Sequence, residues 1–466
     1  MGLLESFVSF IPEVKGPSEK KVPFKTKIIW TLIILTLFFI LGVIPLYGLG
    51  QNSLSQFEQL SLILGSSFGS ITSLGIGPIV TASIVIQLLN GSGLLKLDTT
   101  SPEGRKKFQA LQKVMVLFFI IFEAFIYVLM GGLAPSTNLP LGTFRLVQSL
   151  LVFQLIIGGF LIMYMDEITT KWGFGSGVSL FIAAGVSAQL FIRAFSPLTA
   201  LGNWALGSGE AAVGQVWVLI SSLLGSNPTG AILAATAIIA TILVFLLAVY
   251  LQAMKVEIPL SFGRIRGHGL RWPLRFLYTS NIPVILIAAL LANIQLVARL
   301  LESSGRPWLG TFAGGAPATG LITWLFPPNI IPNLITGSFQ FIDLAHALSY
   351  MLLLVSGAVL FSYFWVQTSG MDASTQAKQI LASGLQIPGF RRDQRVLEQI
   401  LQRYITPLTI MGGLTIGFLA ASADLLGALT SGTSLLLAVM IIYRLYEDIA
   451  NQHMMDMYPA LRKMIE

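Results

Sequence analysis

The chain has 466 residues, 54% of them hydrophobic and only 11% charged, with a mean hydropathy of +0.79 and a net charge of +7. Soluble domains are about a quarter charged, so this composition excludes a soluble enzyme and points to one polytopic membrane domain. Cysteine is absent, which excludes disulfides and thiol chemistry.

Residues 1–23 open the chain as an amphipathic segment. Leu3, Leu4, Phe7, Val8 and Ile11 recur at helical spacing, and Glu5 interrupts a run too short for a signal peptide. A helix lying on the membrane surface is expected there. Runs of about 20 apolar residues cross a bilayer, and the first lies near 28–47. Residues 56–72 then turn polar and rich in Gly and Ser, too polar to span, although they lie between two spans. Backbone without helix at membrane depth survives only inside protein or beside a water-filled cavity. This segment is therefore expected to enter from outside and stop, with Gly75, Gly77 and Pro78 restarting a helix over 75–91.

Further apolar runs follow near 114–133, 146–165 and 177–192, completing a first half over 24–192. An external loop, 193–230, leads to a second half over 231–450, with runs near 231–251, 277–298, 344–366, 404–421 and 430–446. Residues 451–466 form a tail. With the N-terminus cytosolic, all but Arg145, Arg193, Arg299 and Arg306 of the 28 Lys and Arg residues fall on the cytosolic side, the positive-inside asymmetry. Five spans starting inside and five starting outside fit an inverted repeat. "IGPIV" (76–80) and "IPVI" (282–285) echo one another at the same place in each half.

Two basic loops exceed what topology needs. Loop 255–275 carries Lys255, Arg264, Arg266, Arg271 and Arg275, and loop 370–403 carries Arg391, Arg392, Arg395 and Arg403. Charges displayed mid-loop among Gly and Pro favour an anionic partner, either RNA phosphates or an acidic protein. Chemistry of other kinds finds little support. The three His residues, 268, 346 and 453, have no metal-ligating spacing, and "GFGSGVS" (173–179) lacks the Lys-Ser/Thr of a phosphate loop. Its glycines fit a tight turn or close helix packing. Glu123 is the one carboxylate midway along a span, which marks it as a functional candidate. Asp166 and Glu167 fall at a span end, and Asp424 in a short outer turn.

"SLGIGPIVTASIVIQLL" (73–89), "KVEIPLSFGRIRG" (255–267), "SNIPVIL" (280–286), "ANIQL" (292–296), "GFR" (389–391) and "YRLYE" (443–447) together resemble SecY, the large subunit of the protein-conducting translocon, in its archaeal form. The likeness runs from about Phe24 to Glu447. It implies an all-α polytopic fold of ten transmembrane helices in two inverted pseudo-symmetric halves of five, with a re-entrant plug helix at 56–69. It also implies a pore ring of Ile76, Val80, Val178, Ile182, Ile285 and Leu437, a less uniform collar than the family's commonest all-Ile pattern. Thr81, Glu123 and Asn293 match the polar positions of the lateral gate, through which transmembrane segments leave sideways. Arg264, Arg266, Arg391 and Arg392 match ribosome contacts. Implied partners are a SecE-like gamma subunit, a small beta subunit, the ribosome, signal peptides and nascent chains, and membrane lipid, with no DNA, no metal and no cofactor. The implied place is the plasma membrane, with both termini cytosolic. A protein-conducting channel, not an enzyme, is the expected function. An inverted-repeat secondary transporter for a small solute is the alternative, and it would need a polar midplane site.

Overall fold

A computed structural model describes residues 13–17, 22–52, 66–91, 94–95, 102–136, 138–199, 203–205, 210–262, 269–279, 282–313, 316–382, 385–386 and 393–457. The surface helix expected around Leu3–Ile11 and most of the expected plug, 56–65, lie outside the described residues.

Ten helices make the membrane domain. In the first half they are α1 (Phe24–Val43), α2 (Gly77–Gly91), α3 (Pro102–Leu129), α4 (Leu141–Trp172) and α5 (Gly177–Phe195). A short helix, α6 (Gln215–Leu224), lies in the loop before α7 (Pro228–Ala253). The second half continues with α8 (Ile282–Ser303), the short α9 (Ile330–Thr336), α10 (Phe341–Thr368), the short α11 (Ala373–Ala382), α12 (Gln394–Leu425) and α13 (Gly432–Met457). Among the described residues eight candidate spans are long and apolar enough to cross a membrane; α2 is a shorter apolar helix, and α13 turns charged along its second half.

The local chemistry sets the ends. Asn227 caps α7, its side chain accepting from the Gly230 N–H, and Pro228 fills the first turn where no N–H is needed. Gln340 and Asp343 form a reciprocal capping box on α10. α4 and α12 each run 32 residues, well past their apolar runs, because their polar ends continue as helix beyond the hydrocarbon. The apolar run near 277–298 overshoots in the other direction: Leu277 and Tyr278 lie outside α8, which begins only at Ile282 with Pro283 in its first turn.

Small sheets decorate this helical body. β1 (Leu49–Asn52) pairs with β2 (Leu133–Pro135), and β5 (Thr311–Ala313) with β6 (Ala316–Thr319). The first basic loop is an antiparallel hairpin of β3 (Lys255–Phe262) and β4 (Gly269–Arg275). The second basic loop adds β7 (Leu385–Gln386) to β3, so the two loops share one sheet. That sheet stands on its own apolar base, where Ile258 and Leu274 pack with Ala377, Ile380, Leu397 and Leu401. One large apolar cluster fills the membrane domain with residues from both halves.

Candidate functional site

The path to α2 is built from polar residues that satisfy each other. Ser73 Oγ donates to the Ser70 carbonyl at 2.6 Å and Ser70 Oγ to the Ser67 carbonyl at 2.7 Å, while the Ile71 N–H reaches back to the Ile44 carbonyl at 3.0 Å. Ser70, Thr72 and Ser73 are all buried. Gly75 takes φ +53°, a left-handed turn that favours glycine, just before the helix restarts. The segment lies hard against α4, where a methyl group on Gly158 would run into the Ile71 carbonyl. Sequence reasoning passed over Gly158 and Gly159; a glycine pair in mid-span was the available signal for close backbone approach.

Ile76, Val80, Ile182, Ile285 and Leu437 are buried in one apolar cluster, and Val178 packs against it half-buried. Val80, Val178, Ile182, Ile285 and Leu437 come from α2, α5, α8 and α13, and Ile76 from the turn just before α2, so the group draws on both halves. A cavity of about 690 Å³ opens beside them towards the side that carries the basic loops. Val80, Val178 and Ile285 line it, together with Ile79, Leu286 and Ile441. Its outer wall is mixed, with Gln112, Asp166, Ser369, Arg444 and Asp448. The arrangement is a funnel with a mixed polar and apolar wall and an aliphatic floor. An aliphatic collar offers a passing chain no hydrogen bonds and dewets when empty.

Beside the funnel runs a seam between α2 and α3 on one hand and α8 on the other. Asn293 Nδ2 donates to Thr81 Oγ1 at 3.1 Å. The Glu123 side chain also reaches Thr81, is buried, and leaves one oxygen without a hydrogen-bond partner among the described residues. Thr81 of α2 is therefore the common contact of Glu123 from α3 and Asn293 from α8. A second bond crosses the seam near its end: Ser303 Oγ donates to the Met130 carbonyl at 2.7 Å. Sequence reasoning missed Ser303, and a lone serine at a helix end gave no signal.

Arg264, Arg266, Arg391 and Arg392 lie outside the described residues. Their neighbours are engaged in different ways. Arg271 is exposed and pairs with Glu257 at 2.9 Å, whereas Arg275 reaches Glu447 at 2.5 Å and ties the hairpin to α13. Asp424 differs from its expected place in an outer turn. It lies in the last turn of α12 and accepts from the Tyr350 hydroxyl at 2.7 Å, because helix continues to Leu425.

Ten helices packed around an aliphatic cluster drawn from both halves, with a cavity beside it and a polar-bonded seam at one side, define a membrane channel. Residues 70–446 match the SecY family, and residues 37–69 match the plug domain of Sec61p. The chain is 43% identical to protein translocase subunit SecY of Pyrococcus horikoshii, over 98% of this chain and 97% of that one. It is 45% identical to protein translocase subunit SecY of Methanothermobacter thermautotrophicus, over 99% and 98%. A solved structure of a protein-conducting channel superposes with a TM-score of 0.82 at 40% identity, covering 98% of this chain and 99% of the other. Sec61 in the canine ribosome–channel complex from the endoplasmic reticulum gives 0.79 at 40% identity, over 98% and 99%. The chain belongs to the SecY family. That membership sets the small-solute transporter aside.

Proposed function

We infer that this chain is the protein-conducting channel of a translocase, a channel and not an enzyme, which passes unfolded polypeptides across the membrane and releases apolar segments sideways into lipid. The observation that carries the inference is the aliphatic floor of the funnel, drawn from both halves and flanked by a seam held by few polar bonds. In this reading Ile76, Val80, Val178, Ile182, Ile285 and Leu437 form the ring that closes around a moving chain. Residues 56–69 act as the plug outside it. Thr81, Glu123 and Asn293 form the latch of the lateral gate. A signal helix can replace the apolar packing of α2 on α8 but not their hydrogen bonds, so the latch sets how apolar a signal must be.

The basic sheet serves as the docking platform, with Arg264, Arg266, Arg391 and Arg392 meeting ribosomal RNA phosphates. Support comes from the shared sheet and its apolar base, which give both loops a fixed pedestal. A SecE-like gamma subunit and a small beta subunit complete the assembly in the plasma membrane, with both termini cytosolic.

A stalled nascent chain carrying a signal tests the function. Photo-crosslinkers at Ile182 and Leu437 should capture the chain, and crosslinkers at lipid-facing Leu32 and Ile239 should not. Capture at the lipid-facing positions alone would overturn the reading. Charge reversal at Arg391 and Arg392 should weaken ribosome binding and reduce its salt slope by about 0.7–0.9 for each phosphate no longer neutralised.

A further inference from the structure

The fifth and tenth spans open on nearly the same words, "SGVSL" at 176–180 and "SGTSL" at 431–435. Each opening is seated by a carboxylate from the span before it. The Val178 N–H donates to Asp166 Oδ1 at 3.0 Å, and the Ser176 hydroxyl reaches the same oxygen at 3.4 Å. The Gly432 N–H donates to Asp424 Oδ1 at 2.6 Å, while the Tyr350 hydroxyl holds Oδ2 at 2.7 Å.

Glycine is required at both places. A methyl group on Gly177 would stand 2.6 Å from Asp166 Cα, and one on Gly432 would stand 2.5 Å from Ala423 Cβ. The two spans start from opposite sides of the membrane domain, as an inverted repeat demands. Five residues beyond Gly177 stands Ile182, and five beyond Gly432 stands Leu437. Both side chains are fully buried.

The first N–H groups of a helix have no partner within it. Capping usually comes from the helix's own chain just before it, yet Ser176 makes no capping bond to α5. At α5 the acceptor belongs to another span, and at α13 Asp424 adds an acceptor from another span to the helix's own Ser431, which accepts from the Ser434 N–H at 3.4 Å. In both, the carboxylate bond fixes one helix against another. Sliding by one residue moves a side chain about 1.5 Å along the axis and about 100° around it. That is enough to turn a ring residue away from the pore.

We propose that Asp166 and Asp424 are paired positioning residues that set the depth and rotation at which Ile182 and Leu437 enter the ring. The proposal rests on the ring assignment above, and the test separates the two. With no native cysteine in this chain, the pair Ile182→Cys and Leu437→Cys supplies its only thiols. In the assembled resting channel in its membrane, a short bifunctional thiol reagent should link them. Failure of this pair without further change overturns the ring assignment.

Adding Asp166→Leu or Asp424→Leu should lower the linking yield by about tenfold, the scale of removing one hydrogen bond to a carboxylate. With the native residues at positions 182 and 437, the same variants should raise the resting ion leak. Asp166→Asn and Asp424→Asn keep an acceptor oxygen and should restore both readouts. Native yield in the Leu variants, or Asn variants as poor as Leu, overturns the positioning role while leaving the ring intact. If a Leu variant fails to accumulate, Asp166→Glu and Asp424→Glu move the acceptor by one methylene and should lower the yield partway. Native yield from those would also overturn it.

Discussion

The packing of α10 on α12 and the packing of α2 on α8 both join helices inside the same membrane domain, and they are built on opposite principles. Between α10 and α12 the backbones meet: a methyl group on Gly417 would lie 2.7 Å from Val355 Cα, and one on Gly413 would lie 3.0 Å from Val359 Cα. Between α2 and α8, among the described residues, a side-chain hydrogen bond, Asn293 to Thr81, bridges the helices. Lipid tails are as apolar as leucine, so helices in a membrane gain little from hydrophobicity and must use close packing or polar bonds. Close packing over backbone gives way all at once and suits a permanent junction. A few polar bonds can be exchanged for packing against an incoming helix, which suits a gate.

The largest effect is expected where the permanent junction is overfilled. Gly417→Leu should destabilise the domain by about 1–3 kcal/mol or more, read as loss of folded protein in a thermal unfolding series in detergent. A matched change at the seam, Thr81→Val, should leave that series nearly unchanged. Equal losses would erase the distinction between the two helix pairs.

The ring comes next. Asn at Ile76, Ile182 and Ile285 together should wet the closed pore and raise resting ion conductance on the order of tenfold or more, while translocation continues. Conductance across planar bilayers checks this, and an unchanged leak would remove these residues from the barrier.

At the seam, Asn293→Leu removes the bridging bond. Hydrogen bonds between membrane helices average about 0.6 kcal/mol and reach about 1.7, so the closed–open balance should shift by about 3- to 20-fold. The readout is a lower hydrophobicity threshold for signal insertion, and Ser303→Ala should move the same threshold in the same direction by less.

The smallest effect sharpens the comparison as a control. Lys171, at the end of α4, holds Glu13 at 2.7 Å and the Val14 carbonyl at 2.6 Å. The hydrogen bond and charge of Lys171 hold the Glu13 carboxyl below its ordinary value of 4.5. A depressed folded-state value means this ion pair contributes fully above pH 4.5, and its contribution fades as the pH falls through the lower folded value. Glu13 is mostly exposed, so Glu13→Gln should cost under about 1 kcal/mol at pH 7. The difference from the native chain should vanish in acid. Neither the insertion threshold nor the ion leak should respond.

The amino-acid sequence by itself determined the membrane class, the ten apolar spans and the break before α2. These follow from hydropathy and from Gly and Pro chemistry, which are sums over neighbouring residues and need no fold. It also carried the echoes between halves, although "SGVSL" and "SGTSL" gain meaning only once Asp166 and Asp424 are seen against them. Only the tertiary structure decided which apolar face meets protein and which meets lipid. Ile76 is fully buried and Leu32 is 59% exposed, yet the two are equally at home in a spanning run, because lipid and protein interior make the same demand on a side chain. The same holds for the strand β7 that joins two distant loops, for Ser303 on the Met130 carbonyl, and for a carboxylate of one span capping the next. Each depends on a meeting between distant segments, and no local sum contains that information.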